Sequence, residues 1–376
     1  MEIKIIKEVF QKGLSITERI ATKSLTLPIL NNILLEIEDN FISLSSTDLE
    51  TGVKWWSMAK TKDQGKIVLP SKILSQFISL LPEQPLNIDI KDNLIKIESG
   101  TQKTQLKGLN SDDFPLIPTL NKEDIFVVNS QTFCEALSKV VKIPSTSSIK
   151  PEISGIYISF KKGEIKLAAT DSFRLGEKTI PLTNKTEIKK ETSLIIPQKT
   201  VEEIINIFGE KDIDLNISFS PDQILFESFI QDTDHPEIQL ISKLIEGDYP
   251  DYESIIPKET GIKVILPIKE LIKQVRAAGL FGGKVNEVRV NIHPKDNTVE
   301  FLSSDSDLGD YQSFLEGKVE GKELSISFNH RFLLEGLNNI KSSEIILELN
   351  SDDSPGIIKP VGDNTYFYII MPIKTN

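Results

Sequence analysis

Apolar and polar residues alternate through three stretches of one design: ILLEIEDNFISLSSTDLETG (33–52), IYISFKKGEIKLAATDSFRLG (156–176) and VRVNIHPKDNTVEFLSSDSDLG (288–309). Period-two alternation on both sides of a polar turn predicts a β-hairpin. Each hairpin runs into small residues and a Ser/Thr/Asp cluster, and only in LAATDSFRL (167–175) does that cluster also hold an arginine, Arg174.

Two helical units recur as well. KIVLPSKILSQFISLL (66–81), LIIPQKTVEEIINIF (194–208) and LSISFNHRFLLEGLNNI (324–340) each read as a short strand entering a helix, and the first two carry a proline at the turn. The fixed φ of proline suits a helix start, where its missing N–H is harmless. A second helix recurs as IKEVFQKGLSITERIA (6–21), NSQTFCEALSKVVK (129–142) and LPIKELIKQVRAAGLF (266–281), preceded by the strands EIKII, DIFVV and IKVIL. LNSDDFPLIP (109–118) is echoed by IEGDYPDYESIIP (245–257). Asp48 meets Asp171 at an offset of 123 residues, a domain length and far more than a solenoid repeat. The fold class predicted is α+β, in three copies at 1–123, 124–260 and 261–376, each with two helices and several strands.

Composition narrows the function. The 376 residues are 39% hydrophobic and 26% charged, as in globular proteins, and no segment approaches the roughly 20 apolar residues of a membrane span. The N-terminus lacks the apolar core and cleavage site of a secretory signal, so a cytoplasmic protein is expected. Cys134 is the only cysteine; beside Phe133 and Leu137 on an apolar helical face it reads as a buried structural thiol. His235, His293 and His330 are scattered without zinc spacing, and neither metal nor cofactor is expected. FGGK (281–284) lacks the P-loop pattern, and SDSDLGD (304–310) has Asp310 where a calcium loop needs its glycine.

A net charge of −12 argues against a simple nucleic-acid coat. Its distribution tells more. In the helix at 266–281, Lys269, Lys273 and Arg276 fall at i, i+4 and i+7, away from the stripe of Ile268, Leu271, Ile272 and Val275. Lys139 and Lys142, and less cleanly Lys12 and Arg19, repeat this in the other copies. Cations on equivalent helices suit contact with phosphate charge without base readout, or are ordinary solvated faces.

TLPILNNILLE (26–36), LSSTDLE (44–50), LAATDSFRL, GDYPDYESIIP (247–257), SFNHRFLLEGL (327–337) and YIIMPIK (368–374) resemble, in order and over nearly the whole chain, the bacterial DNA sliding clamp family, the beta subunit of DNA polymerase III. The resemblance implies three tandem clamp domains of two helices packed on antiparallel sheets. It further implies a head-to-tail homodimer closing a six-domain ring around duplex DNA, which tethers the replicative polymerase without catalysis. DNA contacts are then expected at Lys12, Arg19, Lys23, Lys139, Lys142, Lys199, Lys269, Lys273 and Arg276. Where many members carry arginine before the TLPIL motif, this chain has Ser24 beside Lys23.

The resemblance also implies a hydrophobic cleft for short peptides of the polymerase III alpha subunit, the clamp loader and other partners. Matched position by position, it uses Ile153, Thr170, Ser172, Phe173, Arg174, Leu175, Pro250, Ile255, Val285, Asn329, Phe332, Ile370, Met371, Pro372 and Ile373. Phe173 departs from the usual histidine and makes that subsite more apolar. Dimer contacts are expected near Leu106 and Leu280. Two rival functions remain: a clamp-like scaffold without DNA, and a phosphoester hydrolase built on Asp171, Ser172 and Arg174.

Overall fold

The structure is a computed structural model that describes residues 2–21, 25–61, 63–120, 125–145, 150–182, 191–257 and 259–374. Among these residues six α-helices occur, two in each sequence copy: α1 (Lys7–Glu18), α2 (Ser71–Leu80), α3 (Ser130–Ser138), α4 (Gln198–Phe208), α5 (Ile268–Gly279) and α6 (His330–Asn338). Pro70 and Pro267 are the N-caps of α2 and α5, at φ −64° and −68°, one place ahead of the first helical residue.

Two compact units are formed, Met1–Phe133 with Glu202–Leu244 and Cys134–Val201 with Ile245–Asn376. In the first unit an eight-stranded antiparallel sheet runs from Phe126–Asn129 through Asp214–Phe219, Gln223–Phe229, Pro236–Lys243, Thr51–Met58, Phe41–Thr47 and Asn32–Glu38 to Gly65–Pro70. It joins the first copy to the second where Thr51–Met58 pairs with Pro236–Lys243, Trp55 opposite Ile238. A five-stranded sheet completes the unit and ends in the edge strand Gln102–Lys107. Helix α1 buries Phe10, Leu14 and Ile16, and Gly13 admits the Trp55 ring where a Cβ would lie 2.3 Å from it.

The second unit repeats the plan. In its nine-stranded sheet the seam is Arg174–Pro181 against Tyr366–Ile370, with Arg174 opposite Ile370 and Leu175 opposite Ile369. A four-stranded sheet lies beside it, with Gly309–Glu316 at one edge and Leu324–Asn329 at the other. Helix α5 buries Ile268, Leu271 and Val275 of the stripe expected from the sequence, together with Ala278, while Ile272 is only half-buried. In α6, Gly336 leaves room for the Tyr368 ring, 2.5 Å from where a Cβ would stand.

Candidate functional site

LAATDSFRL closes the hairpin between Glu164–Thr170 and Arg174–Pro181. The Thr170 hydroxyl donates to the Arg174 carbonyl at 2.7 Å and accepts the Ser172 N–H at 3.1 Å. Asp171 Oδ1 accepts the N–H groups of Phe173 and Arg174 at 2.9 and 3.0 Å, and Oδ2 accepts Arg174 Nε at 2.9 Å. Ser172 takes a left-handed φ of 77°. The first copy has the same turn: Thr47 bonds the Thr51 carbonyl and the Leu49 N–H, Asp48 accepts from Glu50 and Thr51, and Leu49 has φ 75°. In the third copy Asp305 accepts from Asp307 and Leu308. Short polar side chains here stand in for absent ladder partners. Asp171 is committed to the turn, which disfavours the hydrolase reading.

What distinguishes the second copy is Phe173-Arg174, where the first has Glu50-Thr51. Arg174 is only 8% exposed. Its Nη1 donates to the Glu335 carboxylate, its Nη2 to the Lys142 carbonyl at 3.3 Å, and its guanidinium lies 4.4 Å from the Phe332 ring centre. Burial works against its charge, but Tyr368, Glu335 and Asp171 together raise its pKa above the ordinary value. Phe173 is 62% exposed, and its carbonyl accepts the Met371 N–H at 2.8 Å. Two residues on, the Ile373 N–H donates to Ser327 at 2.8 Å, so the segment Met371–Ile373 runs from the turn to the edge strand Leu324–Asn329.

These bonds gather Phe173, Arg174, Ile370, Met371, Pro372, Ile373 and Phe332, the last also holding Tyr368 through its carbonyl at 2.9 Å. Asn329 caps α6 and pairs with Glu287, two residues from Val285. Phe173, Val285, Ile255 and Met371 expose apolar surface. Ile153, Thr170, Leu175 and Ile370 are instead buried; Leu175 packs with Ala168, Tyr252, Ile357 and Ile369. Pro250 and Ile255 lie on the segment 245–257, tied down where Tyr252 donates to Glu177 at 2.6 Å. Sequence reasoning named none of Glu335, Tyr368, Ser327 and Glu177 as site residues, although the first three lie within the motifs SFNHRFLLEGL and YIIMPIK.

The cations divide. Lys12 pairs with Glu237 and Arg19 with Glu203, both at 2.5 Å. Helix α3 ends at Ser138, short of the expected 142, so Lys139 lies past its end; its amine donates to the Asn339 carbonyl, and Asn339 Nδ2 returns a bond of 3.0 Å to the Lys139 carbonyl. Burial and the neighbouring Lys341 lower the pKa of Lys139. Lys142 and Lys199 are exposed. Lys269, Lys273 and Arg276 are exposed too, and among the described residues no carboxylate pairs with them. Lys23 and Ser24 lie outside the described residues. Leu106 is half-buried on the edge strand Gln102–Lys107, and Leu280, the C-cap of α5, is 71% exposed.

Family models of the DNA polymerase III beta subunit match the N-terminal domain at residues 1–118, the central domain at 127–251 and the C-terminal domain at 253–374. The chain belongs to the DNA polymerase III beta subunit family. A beta sliding clamp of Staphylococcus aureus is 27% identical over 100% of both chains. Among solved structures, the sliding clamp of Bacillus subtilis superposes with a TM-score of 0.93 at 23% identity, and that of Pseudomonas aeruginosa with 0.92 at 20%, each covering 100% of both chains. These structures share the tandem α+β clamp fold. Within this beta-subunit chain, the turn at 170–174 recurs at 47–51.

Proposed function

We propose that this chain is a non-catalytic sliding clamp that holds a DNA polymerase on its template. Three clamp domains, at 1–123, 124–260 and 261–376, make half a ring, and two chains join head to tail around duplex DNA in the cytoplasm. The observation that carries this reading is the full-length match of all three beta-subunit domains in order. A ring retains DNA topologically while gripping it weakly, and phosphate attraction from Lys269, Lys273 and Arg276 supplies such a grip. Lys12, Arg19 and Lys139 are engaged within the chain and add less; Lys142 and Lys199 add exposed charge. Closure by two open strand edges, Gln102–Lys107 near Leu106 and a partner's third domain near Leu280, fits a heterologous interface that returns on itself.

Partner peptides of the polymerase alpha subunit and the clamp loader dock on the apolar surface of Phe173, Ile255, Val285 and Met371, with Phe332, Pro372 and Ile373 beside them. Exposed apolar anchors around a fixed arginine suit linear-motif recognition. Loading onto nicked circular duplex tests the mechanism: the protein is retained on the circle and released when the circle is cut. Equal retention on circular and linear DNA overturns it.

A further inference from the structure

The internal repeat supplies its own comparison between copies. In the second unit Tyr157, Ala168 and Glu177 lie side by side on three neighbouring strands, Tyr157 opposite Ala168 and Ala168 opposite Glu177. The same register in the first unit holds Leu34 opposite Ser45 and Ser45 opposite Lys54. The identical Thr-Asp turns fix the correspondence, and so do the bonds from Met371 to Phe173 and from Lys243 to Glu50, at 2.8 and 2.9 Å. Across the second triad lies the 245–257 segment. There the Tyr252 and Tyr249 rings pack on Tyr157 with centroids 6.0 and 5.0 Å away, and the Tyr252 phenol bonds Glu177.

Across the first triad the corresponding segment, Ser111–Leu120, brings Phe114 and Ile117 but no second ring. Ile117 lies over Gly52, 2.9 Å from where a Cβ would stand, on the strand that places Leu175 there in the second unit. A cavity of about 400 Å³ remains, lined by Leu34, Ser45, Lys54, Trp56, Leu225 and Ile241 among others. The acceptor has moved two strands over: Lys54 stands where Glu177 does, and Glu36 pairs with it at 3.2 Å in the cavity wall. Lys54 also lies 4.8 Å from the Trp56 ring centre.

We propose that this cavity is a binding site for a small neutral aromatic molecule carrying a phenolic hydrogen-bond donor. Its ring takes the place that Tyr252 fills in the second unit, and its hydroxyl donates to Glu36. Apolar walls from Leu34, Leu225 and Ile241 bury the ring, while the Lys54–Glu36 pair fixes the polar end without asking for a charged ligand. The site is separate from the peptide surface and stands independently of the clamp function.

The test uses the full-length protein and p-cresol, the side-chain analogue of tyrosine, followed by ligand-observed NMR and by the indole resonance of Trp56, assigned with Trp56→Phe. Saturable binding is expected, at least about tenfold weaker for p-methylanisole, whose methylated oxygen cannot donate. Glu36→Leu removes the acceptor and weakens p-cresol binding about tenfold while leaving the cavity open. Absence of saturable binding, equal affinity for the methyl ether, or unchanged affinity in folded Glu36→Leu overturns the site. Should Glu36→Leu fail to fold, the ether comparison on the unaltered protein decides.

Discussion

Arg174 lies with its guanidinium 4.4 Å from the centre of the Phe332 ring, joining a turn of the second sequence copy to a helix of the third. Asp171 and Glu335 hold it there from two sides. A partly exposed lysine at this position would have neither the fork nor the flat face.

Replacing Asp171 by alanine therefore costs two things. The hairpin loses bonds to two backbone N–H groups, worth about 1–3 kcal/mol, and Arg174 loses its orientation. Asp48→Ala removes the equivalent turn bonds of the first copy without touching Arg174. Thermal unfolding is expected to fall similarly in both, while affinity for a polymerase-derived peptide falls only in Asp171→Ala. Equal loss of peptide affinity in the two would remove the special role of the second turn.

Phe173→Ala separates recognition from folding. Its exposed ring contributes little to the core, so unfolding changes by under about 1 kcal/mol. Peptide affinity drops about tenfold or more, since a large apolar anchor is lost. Isothermal titration alongside calorimetric melting reads both quantities.

Lys269→Ala, Lys273→Ala and Arg276→Ala combined lower duplex binding at low salt and reduce the log–log salt slope by roughly 2 to 3, about 0.9 for each released phosphate contact. Lys12→Ala with Arg19→Ala changes the slope less, because Glu237 and Glu203 already neutralise those cations. A larger effect from the second pair would reverse the assignment.

Glu237 gives a pH signature. Burial raises its pKa, but Lys12 and Lys211 outweigh that and hold the carboxyl below the ordinary carboxylate range. A depressed folded pKa means stability that is present above the unfolded value and lost as pH falls through the folded one. Glu237→Gln should thus flatten the decline in melting temperature below about pH 4.5, with little of that flattening at neutral pH.

Cys134 is 2% exposed, and burial pushes its thiol up to about 12. In the native protein it should react with a thiol-specific reagent at neutral pH orders of magnitude more slowly than after denaturation.

Much of this fold was legible because the chain repeats itself. Three hairpins with period-two alternation and three strand-to-helix turns are local signals, and the stripe of α5 is a matter of spacing alone. The site was legible only in part. Its core of Phe173, Arg174 and Met371 came from the motifs, but pairing partners lie far away in sequence: Lys12 finds Glu237 across 225 residues, and Arg174 finds Glu335 across 161. No periodicity marks such contacts. The end of α3 was misjudged for a related reason: VVK continues the apolar spacing, yet Lys139 leaves the helix to meet Asn339.

The Thr-Asp turn has a consequence for how such a chain can diverge. Its closure relies on the side chains of Thr170 and Asp171 or Thr47 and Asp48, while Phe173 and Glu50 lend only their backbones. Under the proposed peptide recognition, folding and binding then fall on different positions of one loop. A duplicated copy can acquire a new binding preference by exchanging one residue that its hairpin does not need, which leaves the ancestral scaffold unchanged around it.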